Sequence, residues 1–151
     1  MRLEFTVPGK ASPSGSKKAF LHPKTKKIVV MDTAKGKDSW QARVSAFAAM
    51  ARPGLQISDS QFMGPVAMEV KFHFQRPQSH FRTGRNSGLL RDTASHHHTG
   101  KPDLTKLIRC TEDAMTGVLF RDDSQVVHRL ATKVWSENDQ VEIVVVWLAK
   151  P

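Results

Sequence analysis

Residues 101–127 read KPDLTKLIRCTEDAMTGVLFRDDSQVV, and this stretch limits the fold more than any other in the chain. Pro102 and Asp103 introduce a run in which Leu104, Leu107, Ile108, Thr111, Met115 and Val118 recur at helical spacing, about 100° per residue. Thr105, Arg109, Glu112 and Thr116 fall on the opposite side, and Gly117 supplies a C-terminal break. The pair Asp122 and Asp123 then opens an apolar run, 126–135, that reads as a strand. A helix with one apolar stripe must lay that stripe on another element. If this helix packs on that strand, the two acidic spots can adjoin, although they stand about twenty residues apart.

The rest of the chain supplies a sheet for the helix to cover. Leu3, Phe5 and Val7 alternate with polar residues until Pro8-Gly9, as in a half-buried strand. Runs 19–22 and 27–31 read as a basic hairpin. After Gly36, with Asp38 or Ser39 as N-cap, Trp40, Val44, Phe47, Ala48 and Ala51 share one helical face until Pro53-Gly54. Val66, Met68, Val70, Phe72 and Phe74 form the clearest strand, ending at 75–77. A turn at 136–139 precedes a closing strand, 141–148. The order gives an α+β fold: one domain over residues 1–151, with a mixed sheet and two main helices.

Charge narrows the partners. With 23 Lys and Arg against 14 Asp and Glu, the net charge of +9 points to a polyanion, chiefly nucleic acid. Residues 76–100 lack periodicity and carry Arg76, Arg82, Arg85 and Arg91, which predicts a mobile basic arm that orders on DNA. Lys17 and Lys18 on the hairpin are further candidate phosphate contacts. His96, His97 and His98 are consecutive, a poor geometry for one metal ion. The chain has no Tyr, and its Phe residues follow core patterns, so a base-stacking surface is not expected. The single Cys110 excludes an internal disulfide and suits a reducing cytoplasm. No stretch approaches the ~20 apolar residues of a spanning helix, so no membrane partner is expected, nor a small-molecule cofactor.

Carboxylates within so basic a chain suggest phosphodiester chemistry. Mg²⁺ is held by one or two carboxylates plus water, and it both activates water and neutralises charge on phosphorus. Asp103 and Asp123 are the candidate ligands, with Lys101, Lys106, Arg109 and Arg121 as the cationic surround. From the residues alone, Asp103 is equally a helix N-cap and Asp122-Asp123-Ser124 an ordinary polar turn.

The same 27 residues resemble the signature of the RusA family of Holliday junction resolvases. That signature runs Pro-Asp-x-Asp-Asn-Leu, a Lys, Asp-Ala-Leu, then Asp-Asp-x-Gln-Val-Val. The resemblance implies a homodimeric, Mg²⁺-dependent endodeoxyribonuclease (Mn²⁺ being the alternative ion) that nicks four-way DNA junctions symmetrically. By position, Asp103 and Asp123 match family aspartates and Asp122 is the neighbour in Asp-Asp-x-Gln. Arg109 stands at a catalytic lysine, and Asp113 at the Asp of Asp-Ala-Leu. Thr105 and Lys106 replace the second Asp and the Asn, so one formal charge is missing. Glu112, seven residues after Thr105 and within about 20° on the helix, is the candidate replacement carboxylate. The alternative is a relative that binds junctions without cutting them.

Overall fold

The computed structural model describes residues 1–15, 17–32 and 35–148, apart from the side chains of 17, 18, 20, 30–32 and 60. The strands are β1 (Arg2–Pro8), β2 (Lys17–Leu21), β3 (Ile28–Asp32), β4 (Val66–Gln75), β5 (Val126–Ser136) and β6 (Gln140–Trp147). The helices are α1 (Lys37–Ala51), a single turn α2 (Asp59–Phe62) and α3 (Leu104–Met115). β2 and β3 pair as the expected hairpin, and the others form a sheet ordered β1-β6-β4-β5. β6 is antiparallel to β1 and β4, whereas β5 is parallel to β4, so the sheet is mixed as expected.

Alternation along each strand decides which face is covered. Leu3 and Val7, Val70, Phe72 and Phe74, and Val141, Ile143 and Val145 are all buried on one side. Trp40, Val44 and Ala48 of α1 and Leu107, Ile108, Thr111 and Met115 of α3 close that side. The Trp40 indole donates to Thr111 Oγ1 at 3.2 Å, tying the two helices inside the core. Cys110 is buried there as a small packed side chain.

Two details depart from expectation. The N-cap of α1 is Gly36, at φ 82°, while Asp38 and Ser39 lie inside the first turn, where the Ser39 hydroxyl bonds the Gly36 carbonyl. α2 begins at Ser58 with a capping box closed by Gln61, a short polar turn without apolar periodicity.

Connectivity sets the site. α3 ends at Thr116, and Gly117, at φ 78°, turns the chain back toward β5. The helix therefore runs antiparallel to β5, the start of each against the end of the other. β5 and β6, although joined by a short turn, do not pair; they flank β4, whose last residue Gln75 donates its N–H to Asp139 Oδ1 at 2.8 Å. No helix among the described residues is long and apolar enough to cross a membrane.

Candidate active site

At the start of α3, Lys133 reaches in from β5 and donates to the carbonyls of Gly100 (2.8 Å) and Pro102 (3.0 Å). This fixes the chain just before Asp103. Asp103 occupies the N-cap position with extended backbone (φ −67°, ψ 136°), yet its side chain makes no capping hydrogen bond. An Asp at this position ordinarily accepts from the first-turn N–H groups. Here the carboxylate is 63% exposed, with Lys106 Nζ at 3.8 Å. Lys101 and Pro102 border two clefts, one of about 320 Å³ that also touches Phe74, His98 and Trp135, the other of about 450 Å³ beside Trp40 and Arg43. Lys10 lines both, so Lys101 and Pro102, just before Asp103, lie between two cation-lined grooves.

The other acidic spot lies at the far end of the helix. Asp122 caps a 3-10 turn, Asp123–Gln125: its Oδ1 accepts from Ser124 N at 2.9 Å, and its N–H donates to Gln125 Oε1 at 2.8 Å. Gln125 in turn donates to the carbonyls of Phe62 and Gly64, anchoring the turn where β4 begins. Hydrogen bonds from Ser124 chiefly, with Arg121 adding, hold the Asp122 carboxyl below its ordinary pKa. Asp123 and Arg121 are exposed.

Asp103 and Asp123 thus fail to meet within one chain. Asp103 precedes the first residue of α3, whose 12 residues span about 18 Å, and Asp123 follows the return beyond its last turn. The expectation that the helix start adjoins the strand start does not hold, because the two elements run in opposite directions. Among the described residues, no group of three His, Cys, Asp or Glu side chains is placed to hold a metal ion.

Glu112, placed on the exposed side by its helical position, is buried: its Oε2 accepts from Arg129 Nη1 at 2.8 Å. It reaches neither Arg109 nor back to Thr105. Both of those, like Asp113, are exposed. Lys133 and Arg129 escaped the sequence reading. Their signal was present, since Arg129, Ala131, Lys133 and Trp135 alternate on the covered side of β5, where a cation needs a partner.

The expected basic arm, 76–100, has an internal architecture. Turns at Gln78–His80 and Gly84–Asn86 flank a bridge between Phe81 and Leu90. Arg76 donates to Ser95 O, Arg82 to Leu90 O and Asp92, and Arg91 to Phe81 O, so these three arginines hold the loop together, and Arg85 is exposed. Lys101 is exposed and Lys106 half-buried beside Asp103. The side chains of Lys17 and Lys18 lie outside the described residues.

The loop is pinned by His98, which is 7% exposed and stacks on Trp135 at 4.1 Å, with Phe74 at 4.6 Å. His80 meets the same indole edge-on at 5.2 Å, and the Arg76 guanidinium lies 5.5 Å from its ring. These contacts make a largely internal cluster of Trp135, His98, His80 and Phe74 that fastens the loop to the ends of β4 and β5. Burial, then the Lys133 charge and more weakly Lys10, lower the His98 pKa, against hydrogen bonds that the ring donates to its own and the Gly100 backbone. The folded chain thus favours neutral His98. Its contribution to stability is complete above the unfolded value of ~6.5 and is lost as pH falls from there to the lowered folded value. Melting temperatures between pH 7.5 and 5 are expected to fall more steeply for the unaltered chain than for His98→Phe, which keeps the stacking but cannot titrate.

Residues 8–146 match the family model of endodeoxyribonuclease RusA. The chain is also similar to the uncharacterized protein YqaN of Bacillus subtilis (strain 168), with 30% identity over 148 residues, 95% of this chain and 94% of that protein.

Proposed function

The chain belongs to the RusA family of endodeoxyribonucleases, and on that premise we propose that it is a divalent-cation-dependent nuclease resolving four-way DNA junctions by paired nicks. In this reading it acts as a homodimer in DNA recombination and repair, in the cytoplasm of a bacterium or phage-infected cell, and is phage-derived. The observation that carries the reading is the Asp103 carboxylate, exposed and uncapped in a +9 chain, directly after two residues, Lys101 and Pro102, that border cation-lined clefts. A helix N-cap that served only the helix would spend its oxygens on the first turn.

Asp103 and Asp123 are the carboxylates assigned to Mg²⁺, with Asp122 next to Asp123; Glu112, expected from its helical position to join them, is instead held by Arg129. The bound ion supplies charge neutralisation at phosphorus and a water of lowered pKa. Lys101, Lys106 and Arg109 draw the scissile phosphate toward Asp103, which alone would repel it. A guanidinium is a poor proton donor, so the part assigned to Arg109 is electrostatic. Arg121, Arg76, Arg82, Arg85, Arg91, Lys17 and Lys18 are assigned to the junction arms; where an arginine also braces the loop, its contact with phosphate uses the donors left over.

A second reading is supported by Thr105 in place of the second family aspartate, and by the absence of a three-ligand group among the described residues of one chain. In that reading the protein grips junctions without cutting them. An end-labelled synthetic four-way junction, incubated with Mg²⁺, with Mn²⁺ and with EDTA, separates the two. Symmetric nicks with metal and none with EDTA are expected. Tight binding without nicks in either metal would establish the non-cutting relative.

A further inference from the structure

We propose that the cleft between the loop 76–100 and the ends of β4 and β5 receives one unpaired nucleobase of the DNA, which favours branched over continuous duplex. The inference deepens the reading of the chain as a junction nuclease and rests on its binding DNA.

This cleft measures about 420 Å³, within the ~300–1,000 Å³ of pockets that take ring-sized ligands. Its apolar walls are Phe81, Leu90 and Trp135. Phe81 and Leu90 pair through an isolated antiparallel bridge, and arginine side chains hold the carbonyls of both. The backbone N–H groups of Arg82 and Arg91 are spent in the same place, on Leu89 O at 2.8 Å and His80 O at 2.9 Å. The wall is therefore fixed before any ligand arrives, which lowers the ordering cost of binding. Leu90 nevertheless stays 41% exposed and its neighbour Leu89 56%. Two adjacent leucines beside Phe81 make a patch rather than a scattered residue, and such a patch marks a contact surface.

Charge selects the ligand. Arg76, the cation in the wall, already donates to Ser95 O at 2.9 Å and lies over the Trp135 ring. Glu137, exposed at the rim, repels a phosphate. An uncharged flat ring with polar edges suits these walls: Phe81 and Leu90 can cover its faces, and the Gln78 amide can donate or accept at its edge. A nucleobase is such a ring. Its phosphates are accommodated next door, because the cleft of about 320 Å³ that carries Lys10 and Lys101 shares Gln75 and Trp135 with this one. That second cleft ends at Lys101 and Pro102, directly before Asp103. A strand whose phosphates follow the two lysines delivers a base to the apolar cleft only where that base is free of its partner. Unpairing costs least where stacking is already interrupted, as at a branch point.

Binding measured in EDTA keeps the cleft apart from the chemistry. Fluorescence anisotropy compares a short labelled duplex, the same duplex with one bulged nucleotide, and the same bulge made abasic. The unaltered chain is expected to bind the base-bearing bulge several-fold more tightly than the duplex, and the abasic bulge no more tightly than the duplex. Leu90→Gln, which puts an amide in the apolar wall, is expected to remove that preference and to leave duplex affinity unchanged. Equal affinity for base-bearing and abasic bulges overturns the cleft, and this comparison uses the unaltered chain, so it does not depend on how a variant folds. A preference that survives Leu90→Gln, with an unchanged melting temperature, overturns it as well. Junction nicking in Mg²⁺ on the same preparations separates the two ideas. Nicks without base-dependent binding leave the nuclease standing and remove the cleft; base-dependent binding that Leu90→Gln abolishes, without nicks, does the reverse.

Discussion

Asp103→Asn is expected to lower metal-dependent nicking of a four-way junction by about a thousand-fold while leaving the melting temperature nearly unchanged. The two halves of this result come from different observations. Asn caps a helix as well as Asp does, and the Asp103 side chain makes no capping bond that the substitution would remove. Its ion pair with Lys106, at 3.8 Å and largely in solvent, is worth about 0–1 kcal/mol. Stability thus has little to lose. The activity loses one formal charge from the cation's shell, an effect of several kcal/mol, and about 4 kcal/mol corresponds to a factor of about a thousand. Single-turnover nicking rates and melting curves on the same preparations check both halves. A marked fall in melting temperature with a modest change in rate would make Asp103 a structural cap.

Much of the fold was legible in the sequence because its elements carry strong periodicity. Alternation marked β4 and β1, and the apolar stripe of α3 matched the residues that the structure buries, Leu107, Ile108, Thr111 and Met115. Periodicity says nothing about direction, however. Whether α3 starts or ends beside the start of β5 depends on the tight return after Gly117, and that return places Asp103 and Asp123 at opposite ends. Glu112 was misplaced for a related reason. Its helical angle lies near the margin of the buried stripe, and what draws it inward is Arg129, a residue of another element. The loop 76–100 showed no pattern because its order comes from arginine-to-carbonyl bonds and from one stacked histidine, neither of which leaves a period in the sequence. The acidic residues themselves were found by their types and spacing, and their distribution between the two ends of α3 emerged only from the structure.

That distribution, together with the proposed homodimer, makes the build of the metal site open to a direct measurement. Asp103→Asn and Asp123→Asn are each expected to be inactive on their own. If every site takes Asp103 from one chain and Asp123 from the other, a dimer with one copy of each variant holds one doubly altered site and one intact site. Random subunit exchange makes about half of the dimers mixed, each with one of its two sites intact, so nicking is expected to return to about a quarter of the unaltered level, as single rather than paired nicks. If instead each site were built within one chain, every site in the mixture would carry one substitution, and no activity would return. Recovery of unpaired nicks on mixing the two inactive variants is the result this account predicts; a mixture that stays inactive after verified subunit exchange, while the unaltered chain cuts, would contradict it.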